Sequence, residues 1–124
     1  MNEPDPRIVE LAHKIFDLAR AGEADQIRDY IGTGVPVDLT DPDGNTLLML
    51  ASYNGQPSVV VTLLELGADA NRYNFRGQTP LAGAIFKGEA EIVKALLAAG
   101  ADPDLGQPTA RAAAEMFGRT DLLP

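Results

Sequence analysis

Few residues of this chain could do covalent or metal chemistry. The one histidine, His13, stands four residues before Asp17, the helical spacing at which a carboxylate can orient an imidazole. A nucleophile for that pair would have to be Ser52 or Ser58, and Ser52 falls where the pattern around it places a small buried residue. His13 and Asp17 therefore read as an ordinary surface pair. Asp38, Asp41, Asp43 and Asn45 have the composition of a calcium loop. Setting Gly44 on that loop's glycine, however, puts Leu39 at the first ligand and Leu50 where a bidentate glutamate is needed. Gly32-Thr33-Gly34 has neither the lysine nor the helix start of a phosphate-binding loop, and reads as a helix terminator. Glu89 and Glu91 suit a helix start but point in different directions, so they make no acid/base pair. Cysteine is absent, which excludes thiol catalysis, disulfides and Cys-ligated zinc. The expectation is a chain with no catalytic residues, no metal and no cofactor.

Binding is then the class to consider, and composition narrows the partner. The 124 residues are 45% apolar and 23% charged, the make-up of one folded domain spanning 1–124. Ten basic residues against 18 acidic ones give a net charge of −8, which repels nucleic-acid phosphate and anionic lipid; neither nucleic acid nor membrane is expected as a partner. The start Met1-Asn2-Glu3-Pro4-Asp5-Pro6 lacks the basic-then-apolar run of a signal peptide. No stretch approaches the roughly 18 apolar residues of a membrane span, so a cytoplasmic location is expected.

The elements that position any binding residue follow from a repeat. Gly22, Gly55 and Gly88 are 33 residues apart, as are Gly34, Gly67 and Gly100, and Gly44 and Gly77. Asp43-Gly44-Asn45-Thr46-Leu47-Leu48 aligns with Arg76-Gly77-Gln78-Thr79-Pro80-Leu81, and Leu63 to Asn71 aligns with Leu96 to Asp104. Within a unit, Thr46 or Thr79 caps a helix that stops at Gly55 or Gly88. A second helix starts near Pro57 or Ala90 and ends at Gly67 or Gly100, and a turn rich in Asn, Asp and Gly leads onward. The pattern predicts seven helices, near 5–21, 24–32, 46–54, 57–66, 79–87, 90–99 and 109–117, with little strand. Such units bury their apolar faces only by stacking. Asp5 and Pro6 open a longer N-terminal capping unit. At the other end Thr79 to Thr109 and Gly88 to Gly118 shorten to 30 residues, a truncated C-terminal cap.

Gly77-Gln78-Thr79-Pro80-Leu81 and Leu64-Glu65-Leu66-Gly67-Ala68-Asp69-Ala70-Asn71 resemble the ankyrin-repeat family. The resemblance implies an all-α solenoid of antiparallel helix pairs joined by β-hairpin-like turns. Two internal units, 41–73 and 74–104, would stand between degenerate caps at about 5–40 and 105–124. Leu47 replaces the motif's proline, and Met49 and Ala82 replace its histidine, so that side chain's hydrogen bonds are lost and modest stability is expected. The resemblance also implies a non-catalytic module that binds proteins through its concave groove and turn tips.

In that family the two residues before the inter-helix glycine face the groove. Here the first column is Arg20, Tyr53, Phe86 and Met116, and the second is Ala21, Asn54, Lys87 and Phe117. Aromatic and Met side chains at such positions suit an interface, although Met116 and Phe117 equally suit covering the end of the stack. The tip residues Arg72, Tyr73, Phe75, Arg76 and Gln78 form a second candidate cluster. Charge is uneven: residues 1–43 carry ten acids and four bases, residues 44–71 two acids and no base, and residues 72–124 six of each. The acidic half would steer a basic partner or serve solubility. An inhibitor or immunity protein covering a basic toxin or enzyme is the narrower alternative, and an enzyme without a recognisable site is the remote one.

Overall fold

The computed structural model describes residues 5–124; Met1–Pro4, on which the expectation about a signal peptide partly rests, lie outside them. Among the described residues the chain forms α1 (Pro6–Ala21), α2 (Ala24–Gly32), α3 (Leu47–Tyr53), α4 (Pro57–Glu65), α5 (Pro80–Lys87), α6 (Ala90–Ala98) and α7 (Ala110–Met116). A 3₁₀ turn at Thr120–Leu122 takes the place of an eighth helix. Threonine hydroxyls start the first helix of three units. Thr46 accepts from the Met49 amide at 3.0 Å, Thr79 from Ala82 at 3.1 Å and Thr109 from Ala112 at 3.0 Å, each satisfying an amide that the helix cannot. Asp5 does the same for α1 through the Arg7 amide at 2.9 Å, and the bound Arg7 side chain holds its carboxyl below the usual carboxylate range.

The even-numbered helices have no side-chain cap. Each follows a link so tight that its backbone closes the helix before it. The amides of Glu23, Gln56 and Glu89 donate to Leu18, Ala51 and Ala84 carbonyls at 2.9–3.0 Å. Helices α1, α3, α5 and α7 pack as one row, and α2, α4 and α6 pack behind them as another. Leu48, Leu63, Leu81, Ile85 and Leu96 fill the space between the rows, all fully buried. Among the described residues strand is confined to one isolated bridge, Thr40 with Thr46, so the hairpin-like turns expected from the sequence are turns with almost no ladder.

Stacking of apolar faces is reinforced by side chains that reach from one unit to the next. Asp38 accepts from the Asp69 amide at 3.1 Å, and Asn71, the same repeat position one unit on, accepts from the Asp102 amide at 2.7 Å. Gln56 donates to the Arg20 carbonyl at 2.7 Å. Arg119 donates to the Ile85 carbonyl at 2.9 Å and also to that of Phe86. On the outer row Arg28 pairs with Glu65 at 2.8 Å, an exposed bridge that contributes little.

Gly88 lies under that Arg119 guanidinium. Its φ is +72°, and a Cβ there would meet the guanidinium at 3.3 Å. Gly88→Val should cost about 1–3 kcal/mol, because a β-branched residue is strained at positive φ. Thermal unfolding followed by circular dichroism checks this; an unchanged midpoint would contradict the register.

Candidate functional site

Helices α3, α5 and α7 end in side chains that the core has no room for. Tyr53, Phe86 and Phe117 are each 42% exposed, and Met116 is 66% exposed. The Tyr53 and Phe86 rings lie parallel with centroids 6.1 Å apart, and Phe117 meets Phe86 edge-on at 5.0 Å. The Lys87 ammonium sits 4.6 Å from the Tyr53 centroid. Two second-column residues thus meet the first-column ring of the unit before them: Lys87 over Tyr53, and Phe117 against Phe86.

These rings rim an apolar cleft of about 390 Å³, whose floor and walls include Met49, Ala82, Gly83, Pro108 and Ala113. The cleft exists because the floor residues are small or flexible. Met49 and Ala82 are the positions read from sequence as lost histidine bonds. Their structural consequence is space, together with Gly83, where a Cβ would still lie 3.6 Å from Met49 Cε. The sequence did show these departures from the motif, but not that two successive units bring them to one spot.

Beside the cleft, one buried amide organises the tip of the second internal unit. Asn74, 5% exposed, accepts from the Arg76 and Gln78 amides through Oδ1, both at 3.0 Å. Its Nδ2 donates to Asn45 Oδ1 and Gln78 Oε1, both at 2.8 Å. Asp41 has the matching role in the preceding unit, accepting from the Asp43 and Asn45 amides at 2.9 Å. Of the acids of the supposed calcium loop, Asp41 is thus a turn-forming group bound to its own backbone, and Asp38 bonds the amide of Asp69 in the next unit. Asn74 was not among the residues singled out from sequence, although its alignment with Asp41 at 33 residues was a usable signal.

The structure brings six of the eleven sequence-selected residues around the cleft: Tyr53, Gln78, Phe86, Lys87, Met116 and Phe117. Arg76 lines an adjoining cleft that shares Met49, Tyr53 and Gln78. Tyr73 lines a separate cleft with Gly77, Leu105, Gly106 and Gln107. Phe75, 81% exposed, lies over the preceding tip, where a Cβ on Gly44 would come within 2.8 Å of its ring. Arg72 is exposed at the base of the turn. Asn54 turns its amide back on its own helix, donating to the Leu50 carbonyl at 2.7 Å.

His13 and Asp17 line one cleft together with Phe16, Arg20, Asp41 and Pro42. Asp17 pairs with Arg20 at 3.0 Å, and the Ser52 hydroxyl is buried without a hydrogen-bond partner. Among the described residues no group of three or more His, Asp or Glu is placed to hold a metal ion, and no helix is long and apolar enough to cross a membrane.

Comparison with known proteins agrees with this architecture. A family profile described as ankyrin repeats, in three copies, matches residues 15–107. An ankyrin repeat protein of Pseudomonas aeruginosa is 41% identical over 58 residues, 47% of this chain and 34% of that protein. An ankyrin repeat-containing protein of Saccharomyces cerevisiae is 38% identical over 66 residues, 53% of this chain and 13% of its own length. Serine/threonine-protein kinase 12 of Arabidopsis thaliana is 32% identical over 72 residues, 58% of this chain and 16% of the kinase. The chain thus matches about a third or less of the length of each of these relatives.

Proposed function

The chain belongs to the ankyrin-repeat family, and from that premise we propose that it is a non-catalytic module that binds a protein partner through its inner row of helices and adjoining turn tips. Ankyrin repeats are generally protein–protein interaction modules. The observation that carries the reading here is the cleft under Phe86: exposed aromatic and Met side chains on three successive inner helices, facing the same hollow. Aromatic and Met side chains are enriched where proteins meet, and the aromatic ones bury large area with only two rotors to order. The outer row offers solvent a different surface, with Glu65, Glu91 and Lys94 exposed.

Capture from a lysate of the native host, using the full chain as bait and mass spectrometry as readout, tests this. Phe86→Ala or Tyr53→Ala should weaken capture of the partner by roughly 1 kcal/mol or more with helix content unchanged, as truncation of an interface anchor does. Glu91→Lys on the outer row should leave capture intact. Loss of capture on the outer-row change, with both aromatic truncations binding normally, would put the site on the other face.

A further inference from the structure

The part of the groove around α5 carries two cations that no carboxylate pairs with among the described residues. Arg76 and Lys87 flank the apolar cleft, and among the described residues neither is within ion-pair distance of a carboxylate, whereas Arg7, Arg20, Arg28 and Arg111 all are. The apolar cleft and the cleft that Arg76 lines share Tyr53 and Gln78 as a common wall, and no acidic side chain lines either. Lys87 stands on that wall, its ammonium held on the Tyr53 face and open to solvent on the other side.

The net charge of −8 does not cancel this. Its acid excess lies in residues 1–71, mostly before residue 44, while residues 72–124 are balanced. That excess is not on α1, which holds Arg7, Lys14 and Arg20 against Glu10 and Asp17. On the inner row and its tips Asp17 pairs with Arg20 and Asp41 is held by the Asp43 and Asn45 amides, which leaves Asp43, whose carbonyl accepts from the Phe75 amide, as the acid on the tip beside Arg76. A basic segment in the groove would set like charges against Arg76 and Lys87, and an acidic one would complement them.

Resting on the groove reading above, we propose that the groove takes an acidic peptide segment of a partner protein. One large apolar side chain fills the cleft under Phe86, and an aspartate or glutamate within a few residues of it sits on Arg76 and Lys87. The cleft volume is of the size that holds compact apolar groups, about 300–1,000 Å³. Both cations are exposed and can be reversed without disturbing the core: Arg76 contributes only its backbone amide to the Asn74 network.

Panning a phage-displayed random dodecapeptide library on the full chain tests the proposal, with the Phe86→Ala protein and an Arg76→Glu, Lys87→Glu double variant panned in parallel after circular dichroism shows native helix content. The expected pool couples a large apolar residue to nearby Asp or Glu. Its capture should fall about tenfold on Phe86→Ala, as loss of an interface anchor does, and the double variant should turn the enrichment toward Lys and Arg. A pool rich in Lys or Arg beside the apolar residue, still lost on Phe86→Ala, would overturn the acidic-segment proposal and leave the groove reading standing. Capture indifferent to Phe86→Ala, or no enrichment above an unrelated control protein, would overturn both.

Discussion

Leu63→Ala should lower the unfolding free energy by about 2–5 kcal/mol, the range for truncating a fully buried leucine. Leu63 is wholly buried on α4, the central helix of the outer row, which packs against α2, α3 and α6. A chain of this size holds roughly 0.05–0.15 kcal/mol of stability per residue, so the loss is a large fraction of the whole. Solenoid geometry sharpens the effect, since each unit contacts only its neighbours and no distant stretch of the chain can compensate. Urea unfolding followed by far-ultraviolet circular dichroism gives the value. A loss under about 1 kcal/mol would mean that the two rows do not interlock as described.

Asn74→Ala should cost about 2–4 kcal/mol, because it removes four hydrogen bonds from a buried amide, each contributing roughly 1 kcal/mol net. The Arg76 and Gln78 amides and the Asn45 and Gln78 side-chain oxygens all lose their partner. The effect should be local as well as global, raising amide exchange across the tip that carries Tyr73, Phe75 and Arg76. Asn74→Asp keeps the two acceptor roles that Asp41 performs one unit earlier and should lose roughly half as much. The same urea experiment checks both variants; equal losses would show that the backbone bonds are not what holds the tip.

Helix boundaries were legible in the sequence because each is fixed by a residue with a local job. Thr46, Thr79 and Thr109 cap, and the glycines after α1, α3 and α5 stop or turn the chain, so the expected helix ends fall within a residue or so of those observed. Tyr53 and Phe86 were legible as a face because they share one repeat position. The cleft between them was not, since it is made by what is missing from Ala82, Gly83 and Ala113 on two different helices, and volume left unfilled has no periodicity. Phe117 was visible as a residue of the other column or as a cover for the end of the stack, not as a partner of Phe86. Its contact with Phe86 depends on how the shortened last unit seats, which the 30-residue spacing does not state. Asn74 escaped for a related reason: its role is a network to Asn45 and Gln78, not a motif.

The most direct test of the binding face is hydrogen–deuterium exchange of the chain with and without its captured partner. The account predicts slowed exchange at the ends of α3 and α5, at the tip around residues 73–78 and along α7, with α4 and α6 unchanged. Protection confined to α4 and α6, with the inner row exchanging as in the free chain, would contradict it.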